Sequence, residues 1–181
     1  MSDSSVFLSQ RWGAGSPRAE PPTTGSELET LSAFLDWHRE TLALKCDDVP
    51  PAQLSARLVE PSGLSLHGLV RHLAGVERWW FRIQFAQEDV PLLYYSDDDP
   101  DQDFDDLSGD FASALETWHA ECARSREIVA AATSLDATGV RRSTGEPISL
   151  RWVMCQLLAE YARHNGHADL LRERIDGATG A

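Results

Sequence analysis

Four long stretches of the chain repeat apolar residues at helical spacing, and this pattern constrains the fold more than any other feature. Apolar residues three and four positions apart lie on one face of an α-helix. The stretches cover residues 26–46, 65–86, 108–132 and 149–175, and connections of unequal length join them. No stretch shows the alternation of apolar and polar residues typical of a half-buried strand. The sequence therefore predicts an all-α protein that folds as a four-helix bundle.

Boundary signals support the first and last of these helices. Ser26 and Glu29 form a capping-box pattern, in which each side chain binds a backbone N–H that the first turn leaves free. The last helix is predicted to begin at Ser149, and Gly177 follows its last apolar residues and ends it. We also expect one short helix over residues 52–58, between two proline-containing turns.

The composition of the two ends sets the expected domain limits. Residues 1–25 are rich in Ser, Gly and Pro and carry no periodic apolar pattern, which predicts a flexible N-terminal arm. Residues 26–177 form one bundle domain in this interpretation, and residues 178–181 are a short tail. The turn-rich segment 138–147 is expected to connect the last two helices.

A run of aspartates lies in the connection between the second and third helices. Residues 87–106 are predicted to form a long acidic loop. An EF-hand count that starts at Asp99 places Phe104 at the sixth position, where calcium loops need glycine, and Asp110 at the twelfth, where they need glutamate. We therefore interpret the segment as a solvated loop, which can act as a lid or specificity element over one end of the bundle.

Charge and composition exclude several classes of function. The net charge of −13 disfavours nucleic acid and anionic membrane surfaces, because both require clustered Lys and Arg. The chain lacks the run of about 20 apolar residues that a membrane span needs, and its N-terminus lacks a signal-peptide pattern. We therefore expect a cytoplasmic protein. Cys46, Cys122 and Cys155 are too scattered for a disulfide framework and are expected to be reduced thiols.

Three histidines on the apolar faces point to a metal site. His72 lies in the inward stripe of the second helix, between Leu69 and Val76. Taken alone, a buried histidine usually has its hydrogen bond satisfied by a neighbouring carboxylate or carbonyl. His164 and His167 lie three residues apart, on adjacent turns of the inward face of the last helix. Burying three imidazoles without an ion costs desolvation, so the trio predicts a divalent-metal site.

The residues around the histidines suggest the chemistry of the site. Three nitrogen ligands with an open position suit Zn, Ni or Fe, and the open position can take water or the thiol or oxygen of a substrate. Glu160, four residues before His164, can be a fourth ligand, a partner of an imidazole N–H or a general base. Arg163 can orient an anionic substrate or form a surface ion pair, and Asp169 can assist proton transfer or ligand orientation.

Three segments resemble the DinB-like superfamily of bacterial metal-binding four-helix bundles, and in particular its mini-circle protein subgroup. They are residues 31–42 (LSAFLDWHRETL), residues 61–73 (PSGLSLHGLVRHL), and residues 150–153 (LRWV) with 160–173 (EYARHNGHADLLRE). The last segment is the most specific of them. The likeness extends from about residue 20 to residue 177.

The resemblance implies one metal-binding histidine on the second helix and two ligands on the last. Carried over, these are His72, and His164 with His167. Elsewhere in the superfamily the final pair is commonly four residues apart, whereas here it is three apart. The first ligand on the last helix therefore stays open between His164 and Glu160.

The last helix differs from the subgroup at two further positions. The subgroup often has His and Glu where this chain has Gln156 and Ala159, which implies an altered hydrogen-bonding shell. Some relatives use a low-molecular-weight thiol such as mycothiol, whose pKa the metal lowers.

Two functions follow as competing expectations. The first is a metal-dependent transferase or isomerase that uses a low-molecular-weight thiol and a small-molecule substrate, with Glu160 or Asp169 aiding proton transfer. The second is a non-catalytic protein that binds metal or a small ligand, connected with stress. A third alternative is a bundle that has lost its site. A homodimer is the expected assembly, because symmetric dimers are the commonest oligomers.

Overall fold

A computed structural model describes residues 18–180 of the chain. Four long α-helices dominate it, which confirms the all-α bundle predicted from the apolar periodicity. They are α1 (Glu27–Cys46), α3 (Leu66–Glu77), α5 (Phe111–Ala131) and α6 (Leu150–Asp176). Within the described residues, no helix is both long and apolar enough to cross a bilayer.

Shorter elements connect the long helices. Two single-turn helices occur in the connections, and α3 continues without a break as a π-helical segment. Two three-residue strands precede the last helix and pair as an antiparallel hairpin. These elements are α2 (Pro51–Leu54), the π-helical segment Arg78–Phe85, α4 (Gln102–Asp105), β1 (Thr138–Val140) and β2 (Pro147–Ser149).

Ion pairs between α1 and α6 give the relative direction of these two helices. The guanidinium of Arg151 lies 2.6 Å from the carboxylate of Glu27, near the start of both helices. The ammonium of Lys45 lies 2.8 Å from the carboxylate of Asp169, near the end of α1 and in the second half of α6. The helices α1 and α6 therefore run parallel.

The helices α3 and α5 are also parallel. His67 packs edge-on against Phe111 near the start of both, and Arg78 pairs with Glu121 at 2.6 Å farther along. The connection between the end of α3 and the start of α5 must therefore return over the length of the bundle. We refer to this connection, residues 86–110, as the crossing segment.

The crossing segment packs against the outer side of α3. A Cβ at Gly75 would lie 3.0 Å from the carbonyl oxygen of Leu93, and one at Gly68 would lie 3.0 Å from the ring of Phe104. Glycine therefore allows the close approach at both places. Asp103 is only 3% exposed, so the prediction of a solvated acidic loop is wrong at this position. Its burial follows from the path of the crossing segment over α3.

A buried polar network joins the four long helices. Arg39 of α1 donates two hydrogen bonds, of 2.8 and 2.9 Å, to Glu77 of α3. Tyr161 of α6 donates to the same carboxylate at 2.8 Å, and Trp118 of α5 donates to the Tyr161 hydroxyl at 2.8 Å. Burial raises the pKa of Glu77, but the charge and hydrogen bonds of Arg39 outweigh burial and leave that pKa below its usual value.

Apolar side chains fill the space around this network, largely from the faces that the periodicity predicts. The fully buried apolar side chains of greatest volume are Phe81, Leu35, Leu42, Leu66, Leu69, Leu73, Ile83, Leu150, Met154 and Leu157.

The predicted helix boundaries are accurate where a cap marks them. Ser26 and Glu29 form the expected capping box, with Ser26 N–H donating to Glu29 at 2.8 Å. Ser149 caps α6, and Gly177 ends it with φ 78°. The third long helix begins later than predicted, at Phe111, because Asp110 accepts a hydrogen bond from Ser113 N–H and acts as its cap.

Three local predictions differ from the structure. The short helix α2 ends at Leu54, four residues before the predicted end. The second long helix changes to π geometry at Arg78, and in this segment Trp79 is half-buried while Phe81 is fully buried. A π-helix forms backbone hydrogen bonds between residues five apart instead of four. Its turn is therefore wider, and different side chains face inward.

The turn-rich segment 138–147 contributes to a hairpin, which the sequence does not predict. Strands of three residues are too short to show an alternation in the sequence.

Candidate metal centre

Three side chains from α3 and α6 bring metal-ligating atoms together. His72, Glu160 and His164 each offer one ligand atom, and these atoms lie within 4.8 Å of one another. The imidazoles of His72 and His164 face each other across the two helices, with ring centroids 4.6 Å apart. Glu160 and His164 share a face because they are one helical turn apart. We refer to these three residues as the cluster.

His72 is held from the side of the crossing segment. Its Nδ1 lies 2.7 Å from Oδ2 of Asp103, and its ring stacks on Phe104 with centroids 4.9 Å apart. Its Nε2 is buried and has no hydrogen-bond partner in the described part of the chain. A buried ring nitrogen without a partner is costly, so Nε2 is an atom at which a cation would relieve a penalty.

The carboxylate of Glu160 is oriented by its own helix. Gln156, one turn earlier, donates its amide N–H to Oε1 of Glu160 at 2.9 Å. Oε2 of Glu160 lies 3.5 Å from Nε2 of His164. The amide therefore occupies one carboxylate oxygen and leaves the other beside the histidines. Gln156 is the position at which the family resemblance implies an altered hydrogen-bonding shell.

His164 is kept neutral by its surroundings. Burial lowers its pKa, and the positive charges that His72, His167 and Arg163 carry when protonated lower it further, to about 3. A neutral imidazole has a free lone pair and is the form that binds a metal. The lowered pKa of His164 and its burial, with 8% of the residue exposed, therefore favour it as a ligand.

His167 contacts the other side of the His164 ring. The Nδ1 atoms of the two rings are 3.4 Å apart, whereas Nε2 of His164 faces Glu160. His167 is half-buried and lies next to the cluster, but it is not one of the three residues whose ligand atoms lie within 4.8 Å of one another. This geometry suits a hydrogen-bonding partner that orients His164.

The other two predicted site residues lie outside the cluster. Asp169 is exposed and pairs with Lys45 of α1 at 2.8 Å. Arg163 is exposed on α6 beside His164 and acts on it through its charge. The structure thus brings together His72, Glu160 and His164, adds His167 at the edge, and does not bring Asp169 to them.

The donor set fits a divalent transition metal. Two imidazole nitrogens and one carboxylate oxygen are the ligands of catalytic zinc sites and of the two-histidine, one-carboxylate iron sites. The partnerless Nε2 of His72 and the neutral His164 agree with that chemistry. Zn, Fe and Ni all accept this set of donors.

Sequence reasoning missed Asp103 as a residue of the site. It stands in a run of aspartates, and nothing in its spacing separates it from its exposed neighbours. The neighbouring Phe104 is the one apolar residue in that run and indicates where the segment turns toward the core.

The protein's buried thiols are poor nucleophiles. Burial raises the pKa of Cys46 to about 12 and also raises that of Cys122, beside the negative charge of Glu77. Both are therefore protonated at neutral pH, and Cys155 is exposed. A thiolate is the reactive form of a thiol, so the buried cysteines supply no nucleophile.

A comparison with known protein families places the chain in the DinB-like superfamily. The model of the mycothiol S-transferase family matches residues 30–177. The chain therefore belongs to the mycothiol S-transferase family.

Solved structures share the fold. A conserved protein from Enterococcus faecalis superposes with a TM-score of 0.63 at 13% identity, over 86% of this chain and all (100%) of that one. An alanine variant of a mycothiol-dependent maleylpyruvate isomerase superposes with a TM-score of 0.58 at 11% identity, over 85% of this chain and 62% of that one. A search of curated protein sequences finds no match.

Proposed function

We propose that the protein is a metal-dependent transferase that joins a mycothiol-like thiol to a small electrophilic substrate. The observation that carries the proposal is the cluster itself, three ligand atoms within 4.8 Å in a chain of the mycothiol S-transferase family. In this proposal His72, Glu160 and His164 hold the metal. His167, predicted from sequence as a ligand, instead orients His164 through the Nδ1 contact.

The proposal assigns the sulfur nucleophile to the small thiol. A bound divalent metal lowers the pKa of a coordinated thiol and makes thiolate available near neutral pH. The buried cysteines of the chain cannot replace it, because burial holds their thiols protonated. The chain's own contribution is therefore to fix three donors and to keep a site beside them for the thiol and the electrophile.

Residues next to the cluster control charge and protons in this proposal. Glu160 holds one oxygen beside His164 while Gln156 occupies the other, so the carboxylate keeps its orientation. Arg163 offers a positive charge on the exposed side of His164, where an anionic substrate group can pair with it. A role of Asp169 in proton transfer stays a prediction, since Lys45 already binds its carboxylate.

The direct test is thiol consumption by tag-free protein. Purified protein is supplied with Zn²⁺, mycothiol and the electrophile monochlorobimane, and conjugate formation is followed by fluorescence. We expect activity in the wild type, and a loss of at least about a hundredfold in His72→Ala and Glu160→Gln, because each removes a donor. His119→Ala, which changes an exposed histidine on α5, is the matched control. Full activity in His72→Ala would contradict the mechanism.

A non-catalytic metal protein is the second candidate. The observation that favours it is the position of the cluster, which spans α3 and α6 and would let an ion tie the two helices together. It predicts a melting temperature that falls when a chelator removes the metal, together with no thiol consumption. The fluorescence assay separates the two candidates.

A further inference from the structure

Asp103 is the one acidic side chain of the crossing segment that is buried at the cluster. It is 3% exposed, and its Oδ2 lies 2.7 Å from Nδ1 of His72. Its Oδ1 is also buried and has no hydrogen-bond partner within residues 18–180. The contact with His72 is therefore the hydrogen bond that compensates the burial of this carboxylate.

The contact has a consequence for the two nitrogens of His72. A carboxylate oxygen accepts hydrogen bonds, so in the Nδ1–H tautomer of His72 the 2.7 Å contact is a hydrogen bond from Nδ1 to Oδ2 of Asp103. In a neutral imidazole Nε2 then has the free lone pair. Nε2 is the buried nitrogen that lacks a partner, and the His72 ring lies 4.6 Å from that of His164.

The backbone on both sides of Asp103 is fixed to the bundle. Arg71 of α3 donates to the carbonyl oxygens of Ser108 at 3.0 Å and of Gln102 at 3.5 Å. Arg57 donates to the carbonyl oxygen of Phe104 at 2.9 Å. These bonds hold the short helix α4 against α3, so the Asp103 carboxylate reaches His72 from a fixed backbone.

We propose that Asp103 is a positioning residue of the metal centre, which holds His72 in the Nδ1–H tautomer and directs Nε2 toward Glu160 and His164. This inference rests on the proposed metal site. In this proposal the crossing segment has two roles. It packs over α3, and through Asp103 it sets the affinity of the cluster for its ion. Partners of this kind on metal-binding histidines typically change metal affinity 10- to 100-fold.

The test begins with metal-free, full-length protein labelled with ¹⁵N-histidine. Wild-type His72, assigned with His72→Gln, is expected to show a protonated Nδ1 and an unprotonated Nε2. In Asp103→Ala the two tautomers are expected to mix, because the acceptor is gone. A His72 spectrum unchanged in Asp103→Ala would overturn the inference, and this readout does not depend on metal.

The second measurement is the affinity for Zn²⁺ alone, by competition with a chromogenic chelator. Asp103→Ala is expected to weaken binding by about 10- to 100-fold, and Asp103→Asn, which keeps the size and loses the charge, by about tenfold. Asp105→Ala is the matched control, because Asp105 lies on the same short helix, is exposed and pairs with Arg57. We expect its affinity to stay within about twofold of the wild type.

The outcomes separate the two proposals. Wild-type protein that binds no Zn²⁺ overturns the proposed function and leaves the tautomer result standing. Wild-type protein that binds Zn²⁺ with Asp103→Ala and Asp103→Asn equally tight overturns the positioning role. If Asp103→Ala fails to fold, Asp103→Asn carries both measurements, and unchanged affinity and unchanged His72 resonances in that variant also overturn it.

Discussion

At the scale of single residues, the charge state of His164 decides whether the cluster can accept a cation. Burial and the neighbouring His72 and His167 lower its pKa to about 3, so its lone pair is free throughout the physiological range. The unfolded chain lacks these surroundings, and there His164 titrates near 6.5. The difference between the two states links the site to the stability of the protein.

We expect the metal-free protein to lose stability as the pH falls from about 6.5 toward 3. Between these values the unfolded chain binds a proton at His164 that the folded protein does not bind, so stability rises with pH. Solvent screening limits the slope from this residue to about 1 kcal/mol per pH unit. Urea unfolding at several pH values measures it, and His164→Gln should have a shallower dependence. Equal slopes in the two proteins would contradict the lowered pKa.

Thiol reactivity gives a second test at this scale. Cys155 is exposed, whereas Cys46 and Cys122 are buried with raised pKa values. Ellman's reagent should therefore label one thiol in the native protein and all three after denaturation. Cys155→Ser should remove the native reaction and keep the thiol transferase activity. A loss of activity in that variant would assign the nucleophile to the chain itself.

The sequence predicts His72, His164 and His167 as ligands, with Glu160 as an alternative, because these residues share inward helical faces. The spacing of Glu160, His164 and His167 places them on one side of α6, and the apolar neighbours of His72 place it inward. Asp103 could not be predicted, because its role depends on how the crossing segment packs over α3. Whether Glu160 or His167 joins His72 and His164 as the third ligand also depends on side-chain geometry, which spacing in the sequence leaves open.

At the scale of elements, the hairpin β1–β2 packs closely on the end of the π-helical segment. A Cβ at Gly139 would lie 2.4 Å from the backbone of Phe85, a distance that no side chain can relieve by rotation. Gly139 pairs with Ile148 in the hairpin, so the strand cannot move away without losing its register. The close approach therefore requires glycine.

We expect Gly139→Ala to destabilise the protein by about 1–3 kcal/mol, as overpacking does elsewhere. Gly166→Ala is the matched control, because Gly166 lies in α6 with open space around its Cβ position. That substitution should stabilise the protein by about 0.5–1 kcal/mol, since alanine is the better helix former. Chemical denaturation measures both. Equal effects of the two substitutions would contradict the packing of the hairpin.

The elements differ in how well the sequence predicts them. Long helices with caps, such as α1 and α6, carry both periodicity and boundary signals, and their limits were predicted to within a residue or two. The π-helical segment and the hairpin were not predicted, because both depend on contacts with distant parts of the chain. The sequence does not predict α4 for the same reason, since Arg57 and Arg71, from other parts of the chain, hold it in place.

At the scale of the whole molecule, the network of Arg39, Glu77, Trp118 and Tyr161 takes one residue from each long helix. An ion pair in the interior offsets its own desolvation only while both partners are present. The network thereby fixes the relative positions of α3 and α6, the two helices that carry the cluster.

We expect Arg39→Met to destabilise the protein by about 3–5 kcal/mol, because it leaves the Glu77 carboxylate buried and unpaired. Adding Glu77→Gln should restore part of the loss by removing that charge. Arg126→Ala is the control, since Arg126 pairs with Asp36 at the surface and should matter little. Thermal and urea unfolding measure all three variants. A double variant less stable than Arg39→Met would contradict the unpaired-charge explanation.

Metal content of tag-free protein tests directly whether His72, Glu160 and His164 form a metal centre. Wild-type protein, dialysed after incubation with Zn²⁺, is compared with Glu160→Gln and His164→Ala by elemental analysis. About one tightly held metal ion per chain in the wild type, and far less in both variants, is the predicted result. Wild-type protein that retains no metal, or variants that retain as much as the wild type, would contradict the assignment of His72, Glu160 and His164 as a metal centre.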